Sequence, residues 1–106
     1  MRLVSSGALF LVAAACLTGS GGALAQGVPS SGSEIAQRWC AQCHVVRPEQ
    51  VTANADVPTF ESIARKSGDD FEWLKAFLAD PHPPMPNLSL SRQEIADLAA
   101  YIGTLR

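Results

Sequence analysis

The stretch Cys40-Ala41-Gln42-Cys43-His44 decides the fold of this chain of 106 residues. Its C-x-x-C-H spacing is the pattern by which c-type haem is attached to a polypeptide. Where such a motif ends a helix, both cysteines lie on one face and can reach the vinyl groups along one edge of a porphyrin. The imidazole of His44 follows directly and is placed to ligate the iron. The motif therefore predicts one covalently bound haem c, held by Cys40 and Cys43, with His44 as an iron ligand.

Three other kinds of site use a similar cysteine pair. A thioredoxin-like redox site would lie near a βαβ unit, and this sequence has no convincing strand pattern. A structural disulfide would close a very small loop and add little stability. A zinc site needs four ligands, and His82 is the only histidine outside the motif. Each alternative fits the sequence less well than haem attachment does.

The N-terminal residues 1–25 have the pattern of a cleaved export signal. Arg2 supplies a positive start, residues 8–17 form an uncharged apolar run, and a small-x-small pattern ends at Ala25. The apolar run is shorter than the roughly 20 residues that span a bilayer. We therefore expect a periplasmic protein with no membrane span in its mature form. Lipidation of Cys16, which follows small residues, is the alternative.

Removal of the signal would leave 106 − 25 = 81 residues, with seven basic against ten acidic side chains and a formal charge of −3. That balance argues against nucleic acid as a partner. A chain of this length has a marginal apolar core and usually needs a staple such as a covalent cofactor. We expect a flexible lead-in rich in Gly, Ser and Pro at residues 26–32, followed by a single domain at residues 33–106.

Apolar periodicity and capping residues predict an all-α fold, with three to four helices and long loops around the haem. Four prolines between residues 80 and 90 exclude helix and strand from that loop. The predicted elements are a helix from Ser33 into the motif, a loop from Val45 to Pro58, a helix capped by Thr59, a helix from Asp69 to Ala79, the proline-rich loop from Asp80 to Leu90, and a last helix after a capping box at Ser91.

Met85 is the only methionine beyond the export signal, and it stands between Pro84 and Pro86. A methionine that fills a core usually lies on an apolar helical stripe, where its flexibility is useful. This one lies in a stiff loop, and a thioether is a soft iron ligand that raises the potential of haem. Met85 is therefore our first candidate for the sixth iron ligand. His82 is the second, and a position that is open or filled by water is the third.

The order of these features resembles that of class I c-type cytochromes, the small bacterial monohaem group. The resemblance covers a helix, the C-x-x-C-H motif, a long loop, Pro-Pro-Met85-Pro, and a last helix with Leu98-x-x-Tyr101-Ile102. It implies that Pro58 offers its carbonyl oxygen to His44, which would orient the imidazole. It also implies that a glycine of the first helix, Gly32, packs closely on Tyr101.

For function, the resemblance implies a one-electron carrier between a redox donor and a redox acceptor, rather than an enzyme. Iron ligated by His44 and Met85 would have no open position for a substrate. A dedicated haem subunit of an exported dehydrogenase or oxidase is the first alternative. A haem enzyme or gas sensor with an open sixth position is the second.

Overall fold

The computed structural model describes residues 26–106, and within that range the chain forms four α-helices and no strand. This confirms the predicted all-α fold for the described part of the chain. The predicted export signal and Cys16 lie outside the described residues. The helices are α1 at Pro29–Ile35, α2 at Phe60–Ser67, α3 at Phe71–Ala79 and α4 at Arg92–Gly103, and a π-helical segment at Ala36–Cys40 continues α1.

Helix α1 begins at Pro29, so the predicted start at Ser33 is wrong. Proline suits the first position of a helix, because its fixed φ is helical and its missing N–H would have had no partner there. The preceding residue, Val28, donates its N–H to the buried carboxylate of Asp97, on α4, at 2.7 Å. Four of the seven residues expected to form a flexible lead-in are therefore helical, and the bond from Val28 attaches the start of this helix to α4.

Helices α1 and α4 cross with their backbones almost in contact at Gly32. A Cβ atom at this position would lie 2.0 Å from the carbonyl oxygen of Asp97 and 2.8 Å from Cβ of Tyr101. Only a residue without a side chain permits this approach. The packing of Gly32 on Tyr101 that the resemblance implied is confirmed.

Helices α2 and α4 begin where the capping residues predict. The hydroxyl of Thr59 accepts a hydrogen bond from the N–H of Ser62 at 3.1 Å. At α4, Ser91 and Glu94 form a full capping box, each side chain accepting the backbone N–H of the other residue. These caps satisfy N–H groups that have no partner inside the helix.

Helix α3 begins at Phe71, slightly later than the predicted start at Asp69. The reason is that Asp70 acts as the cap, because its carboxylate accepts the N–H of Trp73 at 2.9 Å. The proline-rich segment after α3 is loop, as predicted.

The core lies around α4, which packs against all three other helices. Its Leu98 and Ile102 are fully buried, together with Val46 from the loop that follows the C-x-x-C-H motif. Because Val46 belongs to this core, the loop next to His44 is fixed to the body of the fold.

Candidate haem site

The C-x-x-C-H motif leaves α1 through the π-helical segment Ala36–Cys40. The N–H of Ala41 donates to the carbonyl oxygen of Ala36 at 3.0 Å, which is the wider π register. The N–H groups of Cys43 and His44 then both donate to the carbonyl oxygen of Cys40, at 3.2 and 2.9 Å. Such π segments are frequent at functional sites. After this segment the motif forms a tight turn, and the turn brings both cysteines and the histidine together.

The two cysteines have different surroundings, and both are free thiols in the structure. Cys40 is buried, and burial raises the pKa of its thiol to about 11. Cys40 is therefore a neutral thiol at neutral pH before any attachment. Cys43 is exposed. Residues 26–106 contain no group of three or more His, Cys, Asp or Glu side chains able to hold a metal ion.

The imidazole of His44 is buried and held by one hydrogen bond. Its Nδ1 lies 2.6 Å from the carbonyl oxygen of Pro58. Because a carbonyl oxygen can only accept, Nδ1 must carry the proton, and the lone pair of the neutral ring then lies on Nε2. Nε2 makes no hydrogen bond within the described residues. Histidines that ligate a metal usually donate their other ring N–H to a carbonyl or carboxylate oxygen in this way.

Aromatic packing and backbone hydrogen bonds support His44 from the side of the core. The ring of Phe60, the first residue of α2, lies 5.4 Å from the imidazole ring, centroid to centroid. The N–H of Phe60 donates to the carbonyl oxygen of Val45 at 2.9 Å. The hydroxyl of Tyr101, on α4, donates to the carbonyl oxygen of Val46 at 2.6 Å. Two helices that are distant in sequence thus hold the residues directly after the histidine.

Gln50 also contacts this loop, and the sequence analysis gave it no role. Its side chain bonds to the backbone of the residues 41, 44, 46 and 52. No motif or apolar spacing marks Gln50, because these contacts exist only once the loop has folded back on the motif.

Met85 lies on a different segment of the chain, in the loop between α3 and α4, and is half-buried. Its N–H donates to the carbonyl oxygen of His82 at 3.0 Å. The ring of His82 is packed edge-on against Phe77, with centroids 5.8 Å apart. The structure therefore brings together Cys40, Cys43, His44 and Pro58, while Met85 is held in a turn with His82.

A groove of about 220 Å³ lies between the two segments that carry the candidate ligands. Trp39, which precedes Cys40, lines one side, and this residue is 57% exposed. Leu88 and Leu90, which follow Met85, line the other. Ser89 and Glu94 complete the lining, so the groove has both apolar and polar walls.

The Cytochrome c family matches residues 30–106, which is nearly all of the described chain. The chain belongs to the cytochrome c family. It is also similar to "Cytochrome c-552" of Bradyrhizobium diazoefficiens, with 56% identity over 75 residues that cover 71% of this chain and 72% of that protein. The comparison with solved structures gave no significant match.

Membership of the cytochrome c family makes this chain a haem electron carrier with covalently bound haem c and its iron. The described residues fit that cofactor on chemical grounds. Two thiols, one buried and one exposed, stand at the required spacing, and a buried imidazole has its Nδ1 occupied and its Nε2 available. A soft thioether is available on a separate loop.

Proposed function

We propose that this cytochrome c passes single electrons between two larger redox proteins in the periplasm. Its haem would be attached through Cys40 and Cys43, with the iron held between His44 and Met85. The observation that carries the proposal is the 2.6 Å contact between His44 Nδ1 and the carbonyl oxygen of Pro58. This contact fixes the tautomer that leaves Nε2 as the ligating atom.

When bound, the haem supplies a reversible one-electron change at its iron. The protein residues set the conditions for that change. The carbonyl oxygen of Pro58 polarises the imidazole of His44, and this makes the lone pair of Nε2 a stronger ligand for iron. The thioether of Met85 favours the reduced state and raises the potential. If His44 and Met85 both ligate the iron, no ligand position would remain for a substrate, which favours electron transfer over catalysis.

The surroundings of His82 favour Met85 over His82 as the sixth ligand. The imidazole of His82 is exposed and packs edge-on against Phe77. The backbone of His82 meanwhile accepts the N–H of Met85 at 3.0 Å, which stabilises the turn that presents the methionine. In this arrangement His82 supports the Met85 loop, and its side chain is engaged elsewhere.

The export pattern at residues 1–25 supports the proposed periplasmic location. In residues 26–106 we find no helix of the length and apolar character that crossing a membrane requires. The intact mass of the mature protein, recovered separately from the periplasmic and the membrane fractions, tests this part of the proposal. We expect a chain that starts at Gln26 and carries one haem, whereas a lipid-modified Cys16 at the N-terminus would contradict it.

Absorption spectra of the purified protein, oxidised and reduced, test the proposed iron site. We expect a low-spin spectrum in both states, and we expect the reduced native protein not to bind carbon monoxide. Binding of carbon monoxide under native conditions would show an open sixth position and favour the haem enzyme or gas sensor. Size-exclusion of native extracts separates a free carrier from a dedicated subunit, which would elute in a stable complex with its enzyme.

Denaturing electrophoresis tests the proposed attachment. Haem should remain on the polypeptide, because thioether bonds survive denaturation. Replacement of both Cys40 and Cys43 by Ala should give little folded protein, since an 81-residue domain would lose its staple. A wild-type band without haem would contradict attachment through these residues.

A further inference from the structure

One side chain, Gln50, ties together the backbone on both sides of His44. Its Nε2 lies 3.0 Å from the carbonyl oxygen of Ala41, 2.8 Å from that of His44 and 3.0 Å from that of Thr52. Its Oε1 accepts the N–H of Val46 at 3.0 Å. A single amide thus contacts the interior of the C-x-x-C-H motif, the candidate iron ligand and the loop that follows it.

The chemistry of these partners fixes the orientation of the Gln50 amide. An amide NH₂ group has two hydrogens, so the three carbonyl oxygens share them. If the amide were reversed, Oε1 would face three carbonyl oxygens and the NH₂ group would face the N–H of Val46. That arrangement would place like partial charges together at every contact. The contacts are therefore mutually consistent in one orientation only.

Gln50 and Pro58 constrain different parts of His44. The carbonyl oxygen of Pro58 holds the imidazole ring at Nδ1. The amide of Gln50 holds the main chain at the carbonyl oxygen of His44. A ring is fixed in space only when both its own contacts and the backbone that carries it are fixed. The Pro58 contact acts on the ring, and the carbonyl group of His44 is held by Gln50.

The neighbouring carbonyl groups show how completely this backbone is held. Those of Cys43, Val45 and Val46 each accept a hydrogen bond from a different part of the chain, namely the N–H of Asn54 at 3.0 Å, the N–H of Phe60 at 2.9 Å and the hydroxyl of Tyr101 at 2.6 Å. The carbonyl of His44 completes the series, and Gln50 is its partner. Loss of the amide would leave a partly buried carbonyl unpaired at the ligand itself.

We propose that Gln50 is a positioning residue that sets the orientation of the His44 imidazole against the haem iron. This inference rests on the proposed function, in which His44 ligates the iron. Gln50 does not touch the iron and acts through the backbone of His44. Groups that orient a metal ligand tune the metal as well as the fold.

The test compares Gln50→Leu and Gln50→Glu with the wild-type holoprotein. Gln50→Leu removes all four contacts, whereas Gln50→Glu keeps an oxygen for the N–H of Val46 and turns a carboxylate toward the three carbonyl oxygens. We expect both variants to change the paramagnetically shifted haem-methyl resonances of the ferric protein, which report the plane of the histidine ring. We also expect a lower reduction potential, because a loosened loop admits water that stabilises the more highly charged ferric state.

Asp70→Ala is the matched control, because it removes the cap of α3 and has no hydrogen bond to the motif or the loop after it. This variant should lower Tm while it leaves the haem-methyl resonances and the potential at their wild-type values. If the Gln50 variants also lower Tm but keep the haem-methyl resonances and the reduction potential of the wild type, Gln50 is only structural and the inference is wrong. If Gln50→Leu yields no holoprotein, Gln50→Glu decides by the haem-methyl resonances, because its added negative charge lowers the potential by itself.

The wild-type spectrum separates this inference from the proposed function. A low-spin wild-type spectrum with haem retained on the denatured chain supports the proposed function, whatever the Gln50 variants do. A high-spin wild-type spectrum would contradict the proposed sixth ligand and leave the Gln50 test valid, because His44 would still ligate the iron. A wild-type chain without haem would contradict both the proposed function and the role of Gln50.

Discussion

The hydroxyl of Tyr101 donates a 2.6 Å hydrogen bond to the carbonyl oxygen of Val46, 55 residues away in the sequence. The same tyrosine ring lies 6.4 Å from the ring of Phe60, and Phe60 lies 5.4 Å from the imidazole of His44. Helix α4 therefore reaches the candidate iron ligand by two routes, a hydrogen bond to its loop and a pair of aromatic contacts. Tyr101 therefore couples the stability of α4 to the position of His44.

Tyr101→Phe separates these two routes, because it keeps the ring and removes the hydroxyl. The carbonyl oxygen of Val46 would lose its partner at a partly buried site. We expect the free energy of unfolding to fall by about 1–3 kcal/mol, measured by denaturant titration of the holoprotein. Tyr101→Leu, which also removes the ring, should lower the free energy of unfolding further. Equal stability of Tyr101→Phe and the wild type would mean that water replaces the hydroxyl.

Gly32→Ala tests the close approach of α1 to α4. In an open helix this change would stabilise the protein by up to about 1 kcal/mol, because alanine has the higher helix propensity. Here the new methyl would meet the carbonyl oxygen of Asp97 at 2.0 Å, and this neighbour is backbone that cannot rotate away. We therefore expect a loss of about 1–3 kcal/mol in the free energy of unfolding.

The sign of the Gly32→Ala effect is the informative result. Ser30→Ala, on an exposed position of the same helix, is the control and should change the free energy of unfolding by less than about 0.5 kcal/mol. A stabilised Gly32→Ala variant would contradict the backbone contact between the two helices.

The negative charge of the chain predicts how salt affects its reaction with redox partners. A formal charge of −3 after removal of the signal, together with haem propionates, favours partners with a basic surface near their own redox centre. Electron-transfer rate constants with such a partner should fall as salt is raised, since ions screen the attraction. Stopped-flow mixing at several ionic strengths measures this. Rate constants that do not fall would indicate apolar docking or a permanent complex.

The sequence predicts those parts of the fold that rest on local chemistry. Helices α2 and α4 begin at the predicted caps because Thr59 and Ser91 accept N–H groups within their own first turn. The start of α1 was missed because Pro29 and its Gly and Ser neighbours have the composition of a linker. What makes them helical is tertiary, namely the fit of Gly32 against Asp97 and the bond from Val28 to the same residue.

The same division holds at the candidate site. The spacing of Cys40, Cys43 and His44 can be recognised from the sequence alone, and so can the position of Met85 between two prolines. The contacts of Gln50 cannot be predicted in this way, because its four partners are backbone groups. Their positions depend on how the loop folds and not on a side-chain pattern. The π register of the residues 36–40 likewise has no side-chain pattern that predicts it.

Met85→Ala is the decisive substitution for the proposed iron site. Covalent attachment should be unchanged, because the motif residues remain in place. Loss of the thioether should lower the reduction potential, and the ferric form should lose the weak long-wavelength absorption band of methionine sulfur on iron. Spectroelectrochemical titration measures both effects. The reduced variant should also begin to bind carbon monoxide, unless His82 moves in and gives a low-spin centre with two histidine ligands.

The double variant Met85→Ala with His82→Ala removes this substitute ligand as well. Its iron should be high-spin and able to bind small ligands. The single variant His82→Ala is the control: it keeps the backbone carbonyl that accepts the N–H of Met85 and loses only the ring packed on Phe77. We expect its spectrum and potential to stay close to those of the wild type. If Met85→Ala instead kept the wild-type spectrum and potential while His82→Ala changed both, the sixth ligand would be His82. The turn between the two residues would then present the imidazole, and the contact of that ring with Phe77 would have to break when haem is bound.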